Sequence, residues 1–320
     1  MRFDYLKPTT VEEAISLLGK YDGKAKVLAG GTDLMVQMRA RLMEPEYVVD
    51  VSNIPALDYI DYDRDKGLSV GAMTTLRAIE KSTKLTGGYS LLSQTAGSVG
   101  SVAIRNIGTI GGNLCQDTKC LEYTQTHTWG LELCHRAGGD ACHAVKGAKR
   151  CSAMAIADTA PALVCLDAKL RVYGQRGERI ISIDDFFIAS GVVDLKYNEM
   201  ITAIEVPMLP AHTKGVYLKH CLRGPVDFSI ASVAVALTAS KGICENVRIG
   251  LLGVARTPVR ARQAEEILRG QKIDEALIEK CAQKASDEAS PVSERGVIAA
   301  DKKQMIKTLT ADAIKQLRNK

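Results

Sequence analysis

Two glycine-rich turns constrain the fold of this 320-residue chain more than any other feature. Residues 29–34 (Ala-Gly-Gly-Thr-Asp-Leu) follow an apolar strand pattern and precede a helix pattern. Residues 109–113 (Thr-Ile-Gly-Gly-Asn) end a segment, 98–113, that we predict to be strand and tight turn rather than helix. Glycine permits positive φ and close approach of a ligand, and the amides that begin a helix attract anions. One such turn has a purely steric explanation, whereas two favour a phosphate-bearing cofactor.

The order of predicted elements indicates a small α/β unit at the start of the chain. The Thr10 to Glu13 spacing is that of a capping box and begins a helix. Strands are expected at 25–29 and 47–51, on either side of a second helix that runs from residue 34 to Pro45.

The rest of the chain is predicted to be mainly antiparallel, with helices at the end. We expect strands at 67–72, 162–165, 168–173 and 199–206, and later at 216–221, 232–239 and 247–254. Helices at 260–268, 274–289 and 301–317 close the chain.

The composition argues against several classes of partner. Lys and Arg exceed Asp and Glu by only 42 to 37, and the chain has ten Tyr, four Phe and one Trp, so nucleic acid is a poor candidate. No stretch approaches the ~18 consecutive apolar residues of a membrane span. The first residues resemble neither a signal nor a transit peptide, so we expect a cytoplasmic protein with no membrane partner.

Cysteines are concentrated in one short segment. Five of the nine, at positions 115, 120, 134, 142 and 151, lie between residues 115 and 151. A cytosolic chain keeps its thiols reduced, and an odd number is wrong for a disulfide framework, so a metal or a cluster is the better interpretation. From the chemistry alone an iron-sulfur cluster is favoured over zinc, for which His135 and His143 are further ligand candidates, and over reduced structural thiols.

The two glycine segments, at 29–34 and 105–114, resemble the flavin-binding medium subunit of the molybdenum hydroxylases, the family of xanthine oxidase and carbon monoxide dehydrogenase. Segments 70–75, 157–162 and 204–207 support the resemblance, as does Lys219 with Arg223 ahead of an Ala/Val-rich strand. It covers nearly the whole chain, although residues 293–296 lack the acidic-Arg-Gly-Ser segment that is usual in the family.

This resemblance implies an α+β protein built around FAD. A small α/β FAD-binding subdomain (1–57) would be followed by a mainly antiparallel second FAD-binding subdomain (58–212). A C-terminal domain (213–320) would combine a small antiparallel sheet with a helical bundle.

The resemblance also implies a set of FAD-binding residues. The two turns would wrap the pyrophosphate with backbone amides, Asp158 would accept hydrogen bonds from ribityl hydroxyls, and Ile201 would pack on the flavin ring. Without the resemblance, Asp158 could cap a turn before Pro161, Ile201 could be a core residue and Lys219 a solvated charge. The implied cofactor-binding residues are Ala29, Gly30, Gly31, Thr32, Asp33, Leu34, Val99, Thr109, Ile110, Gly111, Gly112, Asn113, Asp158, Ile201 and Lys219.

The cysteine-rich segment has the character of an insertion. In the family the Gly-Gly-Asn turn is followed closely by the Asp-Thr-x-Pro segment, whereas here Asn113 and Asp158 are 45 positions apart, with the insertion at about 116–155. The insertion is similar to that of the medium subunit of 4-hydroxybenzoyl-CoA reductase, which carries an extra 4Fe-4S cluster. The resemblance implies four ligands, Cys120, Cys134, Cys142 and Cys151, with Cys115 outside the set.

A chain that holds both FAD and a 4Fe-4S cluster is an electron relay. The resemblance implies a ferredoxin-like donor, a small 2Fe-2S subunit, a large molybdopterin subunit and a dimer of heterotrimers that reductively dehydroxylates 4-hydroxybenzoyl-CoA to benzoyl-CoA. The chain offers no candidate acid–base pair or nucleophile, so the catalytic residues are expected in another subunit. The alternatives are an ordinary hydroxylase flavin subunit with a structural insertion, and a zinc-bearing assembly module that performs no catalysis.

Overall fold

The first part of the chain forms a small parallel sheet with helices. The computed structural model describes residues 2–130, 132–224 and 226–319, apart from the side chains of 126–129. The sheet has the strand order β1-β3-β2, and both pairings are parallel. Its elements are β1 (Asp4–Leu6), α1 (Val11–Lys20), β2 (Ala25–Leu28), α2 (Leu34–Arg39) and β3 (Tyr47–Asp50).

The predicted start of α1 is confirmed. The Thr10 hydroxyl accepts a hydrogen bond from the Glu13 amide at 3.1 Å, while the Glu13 carboxylate accepts from the Thr9 amide at 2.8 Å, one residue earlier than in a capping box. The predicted extent of α2 is wrong. It ends at Arg39 rather than Pro45, and Arg41 then adopts a left-handed φ of 56° that a helix does not allow.

The middle of the chain builds a five-stranded antiparallel sheet with helices packed against it. The strand order is β4-β5-β10-β6-β7, and a separate hairpin pairs β8 with β9. The elements are β4 (Ile60–Asp63), β5 (Gly67–Gly71), α3 (Leu76–Lys81), α4 (Ser90–Gly97), α5 (Val102–Ile107), α6 (Ile110–Leu114), α7 (Leu121–Trp129), α8 (Ala160–Cys165), β6 (Lys169–Gly174), β7 (Gly177–Ser182), α9 (Ile183–Phe186), β8 (Phe187–Ala189), β9 (Val192–Val193) and β10 (Glu199–Val206).

The predicted strand and turn over 98–113 is wrong, because two short helices occupy that segment. Ser101 caps α5 by accepting from the Ile104 amide at 3.3 Å, and Thr109 caps α6 by accepting from the Gly112 amide at 3.1 Å. Hydroxyl caps at these two positions satisfy helix-end amides, and they outweigh the β-branched composition on which the strand prediction rested.

The predicted strand at 162–165 is also wrong. These residues belong to helix α8, whose first turn contains Pro161. All six residues of α8 are buried, so the apolar run carries no helical periodicity that would distinguish it from a buried strand. Proline in the first turn was the available signal for a helix.

The last part of the chain is an antiparallel sheet covered by three helices. Strands run in the order β11-β12-β13-β14, and the core lies between the sheet and the helices. The elements are β11 (Thr213–His220), β12 (Ala231–Ser240), β13 (Ile243–Leu252), β14 (Val259–Arg260), α10 (Arg262–Leu268), α11 (Glu275–Glu288) and α12 (Ala299–Arg318). The expected α+β architecture is confirmed. Among the described residues, no helix has both the length and the apolar character needed to cross a membrane.

Candidate functional site

A cleft with two lobes runs along the glycine turns. The smaller lobe has a volume of about 290 Å³ and the larger about 450 Å³, and both are walled by Asp33 and Gly112. The predicted residues in the wall of the smaller lobe are Thr32, Asp33, Val99, Thr109, Gly112, Asn113 and Asp158. Those in the wall of the larger lobe are Ala29, Asp33, Leu34, Gly111, Gly112 and Ile201.

The two turns meet because residue 30 has no side chain. A Cβ on Gly30 would lie 2.0 Å from the carbonyl oxygen of Ile107, at the end of α5. A Cβ on Gly111 would lie 2.9 Å from the carbonyl oxygen of Ala72, so the second turn also lies close to the residue that follows β5. Gly31 adopts a φ of 72°, which is left-handed. The glycines therefore bring distant parts of the chain together as well as opening the cleft.

The two turns differ in the amides they offer to a ligand. In the second turn the Ile110 and Gly111 amides donate to the carbonyls of Thr74 (3.0 Å) and Ala72 (2.9 Å), and the next two amides donate to Thr109. The four amides of residues 110–113 are thus hydrogen-bonded within the protein, and the binding of phosphate by the second turn stays a prediction. Among the hydrogen bonds of the described residues, the amides of 30–34 have no protein acceptor.

Asp158 and Lys219 form a buried ion pair at the smaller lobe. Lys219 Nζ lies 2.8 Å from Asp158 Oδ2 and 2.9 Å from the carbonyl oxygen of Ser98, and the Tyr217 hydroxyl donates to Asp158 Oδ1 at 3.3 Å. Burial raises the pKa of Asp158 in spite of the two neighbours that oppose the rise. Lys219 is thus not a solvated charge, and the Asp158 carboxylate binds these side chains rather than capping the turn before Pro161.

Two of the remaining predicted residues line the cleft, and a third lies in the core. Ile201 is buried against the larger lobe, beside a bulge in the pairing of β10 with β6 between Ile201 and Ala203. Val99 is half-buried in the wall of the smaller lobe. Ile110 is fully buried in the core of the middle unit and does not face either lobe.

The beginning of the insertion forms part of the cleft wall, which sequence reasoning missed. Gln116 and Lys119 face the smaller lobe, and Asp117 faces the larger one together with Arg136. The Lys119 ammonium pairs with the Asp33 carboxylate of the first turn. No motif marks these residues, and only their position next to the second glycine turn could have indicated them.

Four of the five clustered cysteines line one small pocket. Cys120, Cys134, Cys142 and Cys151 share it with Tyr123, His135 and His143, whereas Cys115 lies in the wall of the larger lobe of the cleft. The structure therefore brings together the four predicted ligands and places the fifth cysteine elsewhere.

The donor set of this pocket suits an iron-sulfur cluster, which is held by four thiolates. Burial raises the pKa of the Cys120 thiol, but the amides of Tyr123 and Glu122 bond to its sulfur and oppose the rise. His135 and His143 each bond through Nε2 to a backbone carbonyl, Ala148 O at 3.0 Å and Glu132 O at 2.9 Å. Over the described ranges, no three His, Cys, Asp or Glu side chains are grouped closely enough to hold a single metal ion.

A glycine-walled cleft between a small parallel sheet and an antiparallel one, followed by a sheet with three helices, defines the class of FAD-binding medium subunits. Residues 1–209 match the family described as the FAD binding domain in molybdopterin dehydrogenase. Residues 217–317 match the CO dehydrogenase flavoprotein C-terminal domain. The chain belongs to this family and is the FAD subunit of a molybdenum hydroxylase, an oxidoreductase.

Individual relatives are similar to this chain over nearly its whole length. The carbon monoxide dehydrogenase medium chain of Afipia carboxidovorans is 31% identical over 91% of this chain and 88% of its own. The glyceraldehyde dehydrogenase medium chain of Sulfolobus acidocaldarius is 27% identical over 98% of both chains. The solved carbon monoxide dehydrogenase of Hydrogenophaga pseudoflava superposes with a TM-score of 0.82 at 27% identity, covering 98% of this chain and 96% of that one.

Proposed function

We propose that this FAD subunit also carries a 4Fe-4S cluster and relays electrons from it to FAD. The observation that carries the proposal is the pocket in which Cys120, Cys134, Cys142 and Cys151 meet, apart from Cys115. FAD exchanges one or two electrons and a 4Fe-4S cluster exchanges one, so together they supply a route for single electrons.

The cleft residues would hold FAD by complementary contacts. The amides of residues 30–34 would bind the pyrophosphate, and the side chains of Thr109 and Asn113 would supply polar groups beside it. Asp158 has acceptor capacity beyond its bonds to Lys219 and Tyr217 for ribityl hydroxyls. Ile201 and Val99 would pack against the apolar parts of the cofactor.

The insertion is well placed to be an electron inlet because it adjoins the cleft. Cys120 directly follows the wall segment 116–119. Arg136, two residues after Cys134, lines both the cysteine pocket and the larger lobe. Single electrons that arrive at the insertion would therefore have a short path through protein to the cleft.

The complete enzyme would be a dimer of heterotrimers in the cytoplasm. A small 2Fe-2S subunit and a large molybdopterin subunit would receive electrons from FAD, and a ferredoxin-like protein would supply them. The resemblance of the insertion favours reductive dehydroxylation of 4-hydroxybenzoyl-CoA to benzoyl-CoA as the reaction. The names of relatives such as the carbon monoxide dehydrogenase medium chain support a multi-subunit complex.

The test compares the rate at which reduced ferredoxin reduces FAD in the wild-type complex and in the Cys134→Ser complex, by stopped-flow absorbance. Loss of a ligand should lower the rate to that seen without ferredoxin. Cys221→Ser is the control, because this half-buried cysteine lies outside the pocket. A full rate in Cys134→Ser would instead make the insertion structural and the chain an ordinary hydroxylase subunit that passes electrons outward.

A further inference from the structure

Residues 116–119 belong to the flavin cleft and lead directly into the cysteine pocket. Gln116 and Lys119 face the smaller lobe, Asp117 faces the larger one, and Cys120 is the first residue of the chain in the cysteine pocket. The conformation of this four-residue segment is therefore shared by the two sites.

On the cleft side, the segment holds Asp33 of the first glycine turn. The Asp33 carboxylate accepts from the Asp117 amide at 2.9 Å, pairs with the Lys119 ammonium and accepts from Gln37 Nε2 at 2.6 Å. Asp33 stands in the wall of both lobes, next to the amides proposed to bind pyrophosphate. Without Lys119 its negative charge would repel a phosphate, so the ion pair favours binding of an anionic cofactor.

On the insertion side, the segment is held by Arg136 and Tyr123. The buried Asp117 carboxylate accepts from Arg136 Nε at 3.0 Å, from Arg136 Nη2 at 2.7 Å and from the Tyr123 hydroxyl at 3.2 Å. Arg136 Nη2 also donates to the Gly191 carbonyl at 2.9 Å. Arg136 follows Cys134 by two positions and Tyr123 follows Cys120 by three, so both depend on the order of the insertion.

We propose that the Arg136–Asp117 pair couples the cysteine pocket to the cofactor cleft. When the cluster orders the insertion, Arg136 is held in place and in turn holds the Asp117 carboxylate. Asp117 then places Lys119 against Asp33, and this ion pair strengthens FAD binding. Arg136 is thus a positioning residue for the cleft. The inference rests on the proposed function, since it takes FAD as the ligand of the cleft and a cluster as the group that orders the insertion.

The test is a set of FAD dissociation constants, measured by titrating FAD-free protein and following flavin fluorescence. Wild type is compared with cluster-free Cys134→Ser, and the comparison is repeated in an Arg136→Lys background that keeps the charge but loses the two-pronged contact. We expect Cys134→Ser to weaken FAD binding by about tenfold in the wild-type background, an ordinary size for coupling between sites. In the Arg136→Lys background the two constants should be nearly equal.

Arg150→Lys is the matched control, because this exposed arginine lies in the same insertion and forms no ion pair within the part of the chain that the structure describes. The full coupling should persist in it. The coupling is overturned if Cys134→Ser binds FAD as tightly as wild type, or if the difference survives unchanged in Arg136→Lys. An iron-free wild-type protein would contradict the proposed function instead, and weaker FAD binding by Arg136→Lys than by Arg150→Lys would then support only the role of Arg136 as a positioning residue for the cleft.

A second measurement covers the case in which Arg136→Lys loses its cluster. Coupling between binding sites is reciprocal, so saturating FAD should slow the release of iron from the wild-type protein to a chelator. This measurement uses the wild-type protein alone, because an Arg136→Lys variant without a cluster has no iron to release. Equal release rates with and without FAD in wild type would contradict the coupling.

Discussion

At the residue scale, the buried pair of Asp158 and Lys219 shows what a motif supplies and what it leaves out. The resemblance to the family implied that both residues contact the flavin cofactor. It gave no sign that they bind each other at 2.8 Å with side chains 4% and 7% exposed, because they are far apart in the chain and on different elements. Only the packing of α8 against β12, and of α4 against β11, the strand paired with β12, brings them together.

Replacing Lys219 with Met should therefore destabilise the FAD-free chain. A buried carboxylate left without its partner typically costs about 3 to 5 kcal/mol, whereas replacing both partners costs much less. We expect urea denaturation to give that loss for Lys219→Met and recovery of most of it in the Asp158→Asn, Lys219→Met double variant. A loss below about 1 kcal/mol would place the pair among weak surface ion pairs.

The free energy of unfolding lost in Lys219→Met should depend on pH in a definite direction. Burial raises the pKa of Asp158, and Lys219 is the main opposing influence, so its removal raises the pKa further. A carboxyl whose pKa is higher in the folded than in the unfolded state binds protons more tightly when folded, and its contribution to stability falls as pH rises. Relative to wild type, Lys219→Met should lose more free energy of unfolding at pH 8 than at pH 5. An equal loss at both pH values would contradict this account.

At the element scale, the glycine turns could be recognised from the sequence, whereas several of the helices around them could not. Strand patterns in 25–29 and 199–206 identified β2 and β10, whose apolar residues alternate or are buried in sheets. Sequence reasoning missed three short helices. Helix α5 is rich in β-branched residues, α6 is rich in glycine and α8 is fully buried, so hydrophobic periodicity is uninformative in all three.

Gly30→Ala tests the contact between the two turns. The added Cβ would meet the Ile107 carbonyl at 2.0 Å, and backbone atoms on both sides must separate. We expect a loss of about 1 to 3 kcal/mol in the free energy of unfolding, as for overpacked cores. FAD binding should weaken as well, since the displaced turn carries the amides of 30–34.

Gly97→Ala is the matched control for this substitution. Gly97 ends α4, and the three atoms nearest to its added Cβ belong to the Glu80 side chain, the closest 3.1 Å away, rather than to backbone. Alanine is also the better helix former, so Gly97→Ala should change stability and FAD affinity little. Wild-type stability and FAD affinity in Gly30→Ala, measured by thermal unfolding and flavin fluorescence, would contradict the role of this contact.

At the scale of the whole molecule, all three units converge on the smaller lobe. The first contributes Thr32, the second Asn113 and the third Phe228. Arg295, from the loop before α12, donates to the Lys119 carbonyl at 3.2 Å and lies over the Phe228 ring. The resemblance implied a two-part FAD-binding domain and a C-terminal domain, but the contacts that join the insertion to the cleft come from charged residues that follow no motif.

The surface of the insertion predicts how an electron donor binds. Lys146, Lys149 and Arg150 are exposed between Cys142 and Cys151, and none forms an ion pair across the ranges that the structure covers. Positive charge at an electron inlet accelerates encounter with an acidic protein, and salt screens the effect. Changing Lys146 and Lys149 to Glu should slow reduction by an acidic ferredoxin by about tenfold at low ionic strength and much less at high salt.

Lys272→Glu with Lys280→Glu is the control for this experiment. Both residues are exposed near α11, outside the insertion, and the change in net charge is the same. Stopped-flow rates at several salt concentrations should show little change for this pair. Equal slowing by both double variants would mean that net charge, and not this surface, governs the encounter.

The central claim, that the chain binds both FAD and a 4Fe-4S cluster, is tested most directly by the metal and flavin content of the purified protein. Elemental analysis together with flavin absorbance should give about four iron atoms and about one FAD per chain. Cys134→Ser should lose its iron, and Cys115→Ser should keep it. A chain that contains zinc or no metal, or iron that is lost equally in Cys115→Ser, would contradict the claim.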